Sequence, residues 1–566
     1  MGRDKQRIQI RNLLAFSTGF RFNEGGCTVA GLSKKLLVGV IALLVVGLLY
    51  FTWVALVDIK TQSDVPFRGL TAEQRLEDFR YLCDILEENY PYLEVLKRKH
   101  GLDFEEVKKD FETKVRSARS DAEFYGVLSR FLNTLQNGHT GLISPEQYKY
   151  YREKKSSGPR FDPWSRVVTN ENSTEKYEYW NKIIKKDPII IPMNFKYVEG
   201  RDVKIDEGPL DPAYSDEYGI PEGSCLIKIN SIPVDDYIAS LIDQRYLKYD
   251  EKRNKFRSEG VITAPSEESV VFTFVTPERE LKEVTVKPLK SSAITAVNNV
   301  NKKDSSIQTH IIEEGKIAYL KIFSFNSRYV ESDREKIREF LETVKDYPYL
   351  IIDIRGNGGG STTYWEQNIV SPLSNKRLSM KFYCAFKDGD YIKPFIGAKY
   401  WFLKRIDELP VNKNYPPEIG ESLLCYGEVN YDISPESPVG FKGRIFLLVD
   451  EGVYSSAESF AAFAKATKWA TLVGTRTGGD GIGIDPAFVA LPNSGLIVRF
   501  ALEMGLNPDG SANYEFATAP DIFAEQTYRD FLKHLEWVKT AGEGWIISPY
   551  DTILNTVLKI IELGTS

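Results

Sequence analysis

Histidine, cysteine and methionine are scarce in this chain of 566 residues: four, five and four respectively. The histidines (His100, His139, His310, His534) and cysteines (Cys27, Cys83, Cys225, Cys384, Cys425) are scattered, with no CxxC, no HExxH and no close His/Cys pair. That spacing excludes a dedicated zinc or iron–sulfur site and a small disulfide-stapled scaffold. Positive charge is not in excess either. Lys+Arg at 73 against Asp+Glu at 79 leaves a net charge of −6, so no global field exists to hold a nucleic-acid backbone. A GxxxxGK[ST] phosphate loop, a GxSxG elbow and any repeat of fixed period are missing. With 42% hydrophobic residues and about 100–200 residues per domain, the length predicts three or four domains.

One long apolar run is present. Leu36–Val57 is 22 residues without a charge, enough to cross a hydrocarbon core of about 30 Å. Residues 1–35 before it carry seven basic and two acidic residues, a net +5, so the rest of the chain sums to −11. Excess Lys and Arg stay cytoplasmic. The pattern predicts a cytoplasmic basic segment (1–35), a single transmembrane helix (36–57) and a large extracytoplasmic part. A cleaved signal peptide fits less well, because the run exceeds a usual h-region and no A-x-A site follows it.

Residues 65–148 read as a small helical domain. Thr71…Gln74 and Ser120…Glu123 have capping-box spacing, and each precedes an apolar stripe of helical period. Residues 149–204 are polar without sustained periodicity and read as a linker or insertion. Residues 205–290 are strand-rich, with Cys225–Asn230 and Val270–Thr276 as the clearest strands. From about 305 to 555, strands and helices alternate, which predicts a parallel or mixed sheet covered by helices, with functional sites beyond the carboxyl ends of its strands.

Three segments carry candidate chemistry. The apolar strand Leu350–Ile354 runs into Arg355-Gly356-Asn357-Gly358-Gly359-Gly360-Ser361, where glycine lets backbone N–H groups converge on a phosphate or on an oxyanion. The strand Ile445–Val449 leads to Ser455-Ser456-Ala457-Glu458 at the start of a helix. A serine there exposes its hydroxyl, and the next N–H can serve as an oxyanion donor; the alternative is a serine that merely caps the helix. Asn137-Gly138-His139-Thr140 ends a helix and offers one imidazole. A hydroxyl, an imidazole and paired N–H donors are the parts of an acyl-transfer site, provided they meet in space.

These segments, in this order, resemble the serine peptidases that include the C-terminal processing, or tail-specific, proteases and the tricorn protease core. Gly474-Thr475-Arg476-Thr477-Gly478-Gly479 and Ala519-Pro520-Asp521 extend the likeness, which spans about residues 70–525. The resemblance implies an α+β multidomain chain with a crotonase-like (ClpP-type) α/β catalytic core (305–555). It also implies a PDZ-like module at 205–290, carried by Gly219-Ile220-Pro221-Glu222-Gly223-Ser224 before the strand at Cys225. By the S-x-x-E pattern the nucleophile is Ser455, with Ser456 as the alternative. The position of the processing proteases' lysine is occupied by Asp480, so the chain stands closer to the tricorn-type branch, whose base is a histidine of the helical region, here His139. The third member is then a glutamate, for which Glu515 is the choice. The oxyanion hole falls to Gly358 or Gly359 with Ser456. No metal or cofactor is implied.

The expected function is a membrane-anchored extracytoplasmic serine peptidase acting on peptides or proteins through an acyl-enzyme. The alternatives are a catalytically inactive peptide-binding scaffold of the same fold, and the same serine chemistry on a non-peptide ester. Nucleic acid is not an expected partner, and the oligomeric state is not legible.

Overall fold

Residues 67–155, 162–184, 189–206, 210, 213–257, 260–264, 266–290, 305–400, 403–541 and 547–564 are described by a computed structural model of the chain. The apolar run 36–57 and the basic segment before it lie outside them. Among the described residues, no helix is long and apolar enough to cross a membrane.

The helical region consists of α1 (Ala72–Asn89), α2 (Leu93–His100), α3 (Phe104–Ser117) and α4 (Asp121–Thr134). Thr71 closes a full capping box with Gln74, and Asp103 and Ser120 cap α3 and α4 by accepting backbone N–H groups. The stripes meet in a core of Phe79, Leu82, Phe111, Phe124 and Phe131, with the Phe79 and Phe131 rings edge to face at 4.9 Å. The turn after α4 is tied across the molecule: Gln136 accepts from Leu247 N at 2.9 Å and donates to Ile242 O at 2.7 Å.

The described part of the stretch expected as a linker is ordered. It holds helices Pro163–Val168 and Glu171–Ile183 and two strands. Its polar sequence hides two anchors, Trp180 donating to Ser494 O and Tyr177 donating to Ile143 O, each at 2.8–2.9 Å. The β-rich module accordingly starts at Ile189 rather than 205. Its antiparallel sheet places β1 (Ile189–Val198), β2 (Arg201–Ile205), β3 (Cys225–Ile229), β4 (Val270–Val275), β5 (Leu281–Val286) and β6 (Leu289–Lys290) in the order β5-β4-β3-β2-β1-β6.

The core sheet is in chain order throughout: β7 (Ile307–Glu313), β8 (Ile317–Ile322), β9 (Tyr349–Asp353), β10 (Arg444–Val449), β11 (Thr471–Gly474) and β12 (Ile522–Phe523). Only β7 runs antiparallel to its neighbour. Helices α5 (Val330–Val344), α6 (Ser456–Ala466) and, after the short α7 (Asn513–Phe516), α8 (Tyr528–Ala541) and α9 (Thr552–Gly564) accompany it. Buried runs such as Leu350-Ile351-Ile352 and Phe446-Leu447-Leu448 are apolar at consecutive positions because both faces of a parallel sheet are covered. Phe531 and Leu535 of α8 pack on Val198, Val203 and Cys225 of the module. Tyr528 donates to Gly223 O at 2.7 Å, so the module is fixed to the core. The whole is a mixed α+β multidomain chain.

Candidate active site

Two neighbouring parallel strands, β9 and β10, end side by side and release the loops that carry the candidate groups. After β10, Asp450 accepts N–H bonds from Gly452 at 2.9 Å and from Gly356 at 2.8 Å, which ties the two loops together. The chain then pairs Tyr454 with Gly479 in a parallel bridge and reaches Ser455 at φ 57°, ψ −126°, a conformation disfavoured for a side-chain-bearing residue. Ser455 precedes α6 but its hydroxyl caps no N–H there. Instead its Oγ lies 3.0 Å from His139 Nε2. Ser456 turns inward, buried, its Oγ without a hydrogen-bond partner among the described residues.

His139 is held from both sides. Its own N–H donates to Asn137 Oδ1 at 2.9 Å, and the next strand, Gly141–Leu142, pairs with Arg499 and Val498. Its Nδ1 lies 2.8 Å from Asp480 Oδ2. A carboxylate at Nδ1 fixes the proton there and leaves Nε2 as acceptor for the Ser455 hydroxyl. The same Oδ2 accepts from Tyr454 Oη at 2.6 Å and Asn137 Nδ2 at 2.9 Å. Burial pushes the Asp480 carboxyl up, but the facing imidazole and the two other donors outweigh it and hold the group below its ordinary value.

Glu515 does not occupy the place expected for it. Both of its oxygens are taken by Arg98, at 2.9 and 2.7 Å, and Arg98 also reaches Glu418 at 2.9 Å. This carboxylate joins α2 to α7, and the acid beside the imidazole is Asp480. The sequence contained a signal for it: an acidic residue inside Gly478-Gly479-Asp480-Gly481, at the position that the resemblance to the processing proteases assigns to a lysine. Tyr454 and Asn137 carry no chemistry of their own and stood out only as neighbours of Ser455 and His139.

The glycine loop is shaped by Asn357, fully buried, which accepts from Gly359 N at 2.9 Å and donates to Ile322 O at 3.3 Å. Gly359, at φ +96°, lies so close to the elbow that a Cβ would sit 2.7 Å from Tyr454 O and 2.8 Å from Ser456 N. Its own N–H is spent on Asn357, whereas no protein hydrogen bond occupies the N–H of Gly358 or of Ser456 among the described residues. Of the expected donors, this pair is the one left available. Beneath the loop, Arg355 binds both Asp353 and Asp551, and Lys321 Nζ reaches Asp353 at 3.0 Å and Arg355 O at 2.8 Å. Burial raises the Asp353 carboxyl, but the charges of Arg355 and Lys321 drive it far below the usual range.

Glu458, one turn into α6, is buried and accepts from Asn513 Nδ2 at 2.7 Å and Thr518 Oγ1 at 2.6 Å. Burial dominates and pushes it up to about 7. Asn513 also accepts from Gly481 N at 2.9 Å, next to Asp480. A cleft of about 1160 Å³ opens between module and core, with Gly356, Gly452 and Arg476 on one wall and Arg253, Arg257 and Tyr197 on the other. Among the described residues, no group of three or more His, Cys, Asp or Glu is placed to hold a metal ion.

Residues 316–523 match the model of peptidase family S41. That stretch is a domain of this family. Among solved structures, this chain is similar to mature CPAF, with a TM-score of 0.54 and 16% identity over 84% of this chain and 99% of that one. It is similar also to mature CPAF complexed with lactacystin, with a TM-score of 0.52 and 16% identity over 83% and 98%. At such identity the likeness is one of fold. No curated protein matches this chain in sequence.

Proposed function

We propose that the chain is a serine peptidase of family S41 whose nucleophile is Ser455, whose general base is His139 and whose third member is Asp480. The single observation that carries this reading is the continuous contact Ser455 Oγ–His139 Nε2–Asp480 Oδ2, at 3.0 and 2.8 Å. In it, Ser455 Oγ attacks the peptide carbonyl while His139 takes its proton; the imidazolium then protonates the leaving amine, and water repeats the cycle to release the acyl group. The N–H groups of Gly358 and Ser456 receive the developing oxyanion, each such donor contributing about 2.7–4 kcal/mol in acyl-transfer enzymes.

The unbroken apolar run 36–57 and the basic flank before it support a single-pass anchor with the peptidase outside the cytoplasm. The β-rich module serves as a PDZ-like unit that takes extended peptide by strand addition, and its cleft against the core gives the peptide a path to the Gly356 and Gly452 side of the elbow.

A soluble form starting at residue 65 is to be treated with a fluorophosphonate and assayed on a quenched casein substrate. Labelling at Ser455, with turnover abolished in Ser455→Ala and His139→Ala, is the expected result. Undiminished turnover in both variants refutes the mechanism, and esterase activity without peptidase activity redirects the substrate class. Sedimentation of the full chain with membranes, and its release when 36–57 is deleted, tests the anchor.

A further inference from the structure

We infer that Tyr454, beside the nucleophile, is a positioning residue that sets the His139–Asp480 pair through its phenol and its ring together. The inference rests on the serine-peptidase reading above and adds to it a group that touches neither substrate nor the reacting atoms.

Four contacts converge on this one side chain and its backbone. Its hydroxyl makes the shortest hydrogen bond to Asp480 Oδ2, 2.6 Å against 2.9 Å for Asn137. Its ring lies against the imidazole, centroids 5.0 Å apart. A Cβ on Gly138 would sit 3.0–3.1 Å from the Tyr454 ring, so the phenol fills the space over the residue that precedes His139. Its backbone N–H donates to Asn357 O at 3.2 Å, in the glycine loop. One residue thus spans the elbow, the imidazole turn, the acid turn and the glycine loop.

The remaining groups around the carboxylate are mostly neutral. Tyr92 Oη stands 3.5 Å from Oδ1. Tyr90, Tyr246, Tyr514 and Glu503 feel its charge, and burial pushes each of them up, which keeps them uncharged. With only neutral donors besides the imidazole, Tyr454 disperses much of the negative charge of Asp480. Without its O–H the carboxylate is a less dispersed anion, holds the protonated ring more tightly and loses one of the donors that fix its plane.

The test is steady-state kinetics on Tyr454→Phe and on protein carrying 3-fluorotyrosine at 454, a stronger donor of nearly the same shape. For Tyr454→Phe the expectation is a fall in kcat of about ten- to a hundredfold, the range for losing a hydrogen bond to a charged group. KM should be unchanged, the acid limb of kcat/KM should move to higher pH, and fluorophosphonate should still label Ser455. The fluorotyrosine protein should move the acid limb the other way, and it decides the matter if Tyr454→Phe does not fold. Wild-type profiles in the folded variants overturn the inference while leaving the serine-peptidase reading intact. Undiminished turnover in Ser455→Ala and His139→Ala overturns both.

Discussion

The imidazole of His139 and the carboxylate of Asp480 meet at 2.8 Å although one follows a helix of the N-terminal region and the other sits in a turn after the core strand β11. His139 comes to the core from outside it, and the pair ties the helical region to the core.

Replacing Asp480 by Asn keeps the size of the side chain but presents an amide to Nδ1 and favours the wrong tautomer. A fall in kcat on the order of 10⁴ is expected, as for the corresponding change in a Ser-His-Asp triad. Glu515→Gln is the contrasting variant: it loosens the Arg98 pair at a cost of about 1–2 kcal/mol and leaves kcat near wild type. Burst kinetics on both variants measures the difference, and equal losses would mean that the acid has been misassigned.

Gly359→Ala introduces a methyl group 2.7–2.8 Å from two backbone atoms of the elbow, at a positive φ that alanine resists. Backbone on both sides cannot yield without shifting Ser456 N. The acylation rate should fall on the order of 10²–10³, as for loss of an oxyanion donor. The rate of fluorophosphonate labelling reads it directly, and an unchanged rate would remove this loop from the oxyanion site.

Glu458 gives a pH-dependent stability of definite sign. Its folded value of about 7 lies above the ordinary 4.5 because burial disfavours the charge, so the folded state keeps a proton that the unfolded chain loses. The contribution is complete below about pH 4.5 and is lost as pH rises through 7, on the order of 3 kcal/mol across that window. Urea midpoints at pH 5 and pH 8 should differ more in wild type than in Glu458→Gln. An identical difference in the two proteins would place the slope elsewhere.

Asp353 and Arg355 form a buried pair beneath the glycine loop, Asp353 being 1% exposed. Asp353→Asn leaves Arg355 with Asp551 alone and takes from Lys321 its carboxylate partner, and should cost about 3–5 kcal/mol. Asp551→Asn should cost less, since Arg355 keeps Asp353. Guanidinium midpoints that rank the two the other way would show that α9 carries the clamp.

The local parts were legible in the sequence because they are set by near neighbours. Thr71 with Gln74 and Ser120 with Glu123 mark helix starts, and consecutive apolar residues at 350–352 and 446–448 mark strands buried on both faces. The glycines after Arg355 and the paired serines at 455 and 456 mark the strand ends that bound the candidate site. Segment 149–204 was not legible, because its described part is anchored by Trp180 and Tyr177 reaching Ser494 and Ile143, contacts that leave no period in a polar sequence.

Composition, periodicity and motif order by themselves determined that this is a mixed α+β chain with a serine at a strand-to-helix turn and an imidazole held far away along the chain. Only the tertiary structure decided that Ser455 and not Ser456 faces that imidazole, that Gly359 spends its N–H on Asn357, and that Asp480 and not Glu515 stands behind the ring. Each of those choices depends on a distance between segments remote in sequence. A carboxylate looks the same along a chain whether it will meet an arginine or a histidine, until folding supplies the neighbour.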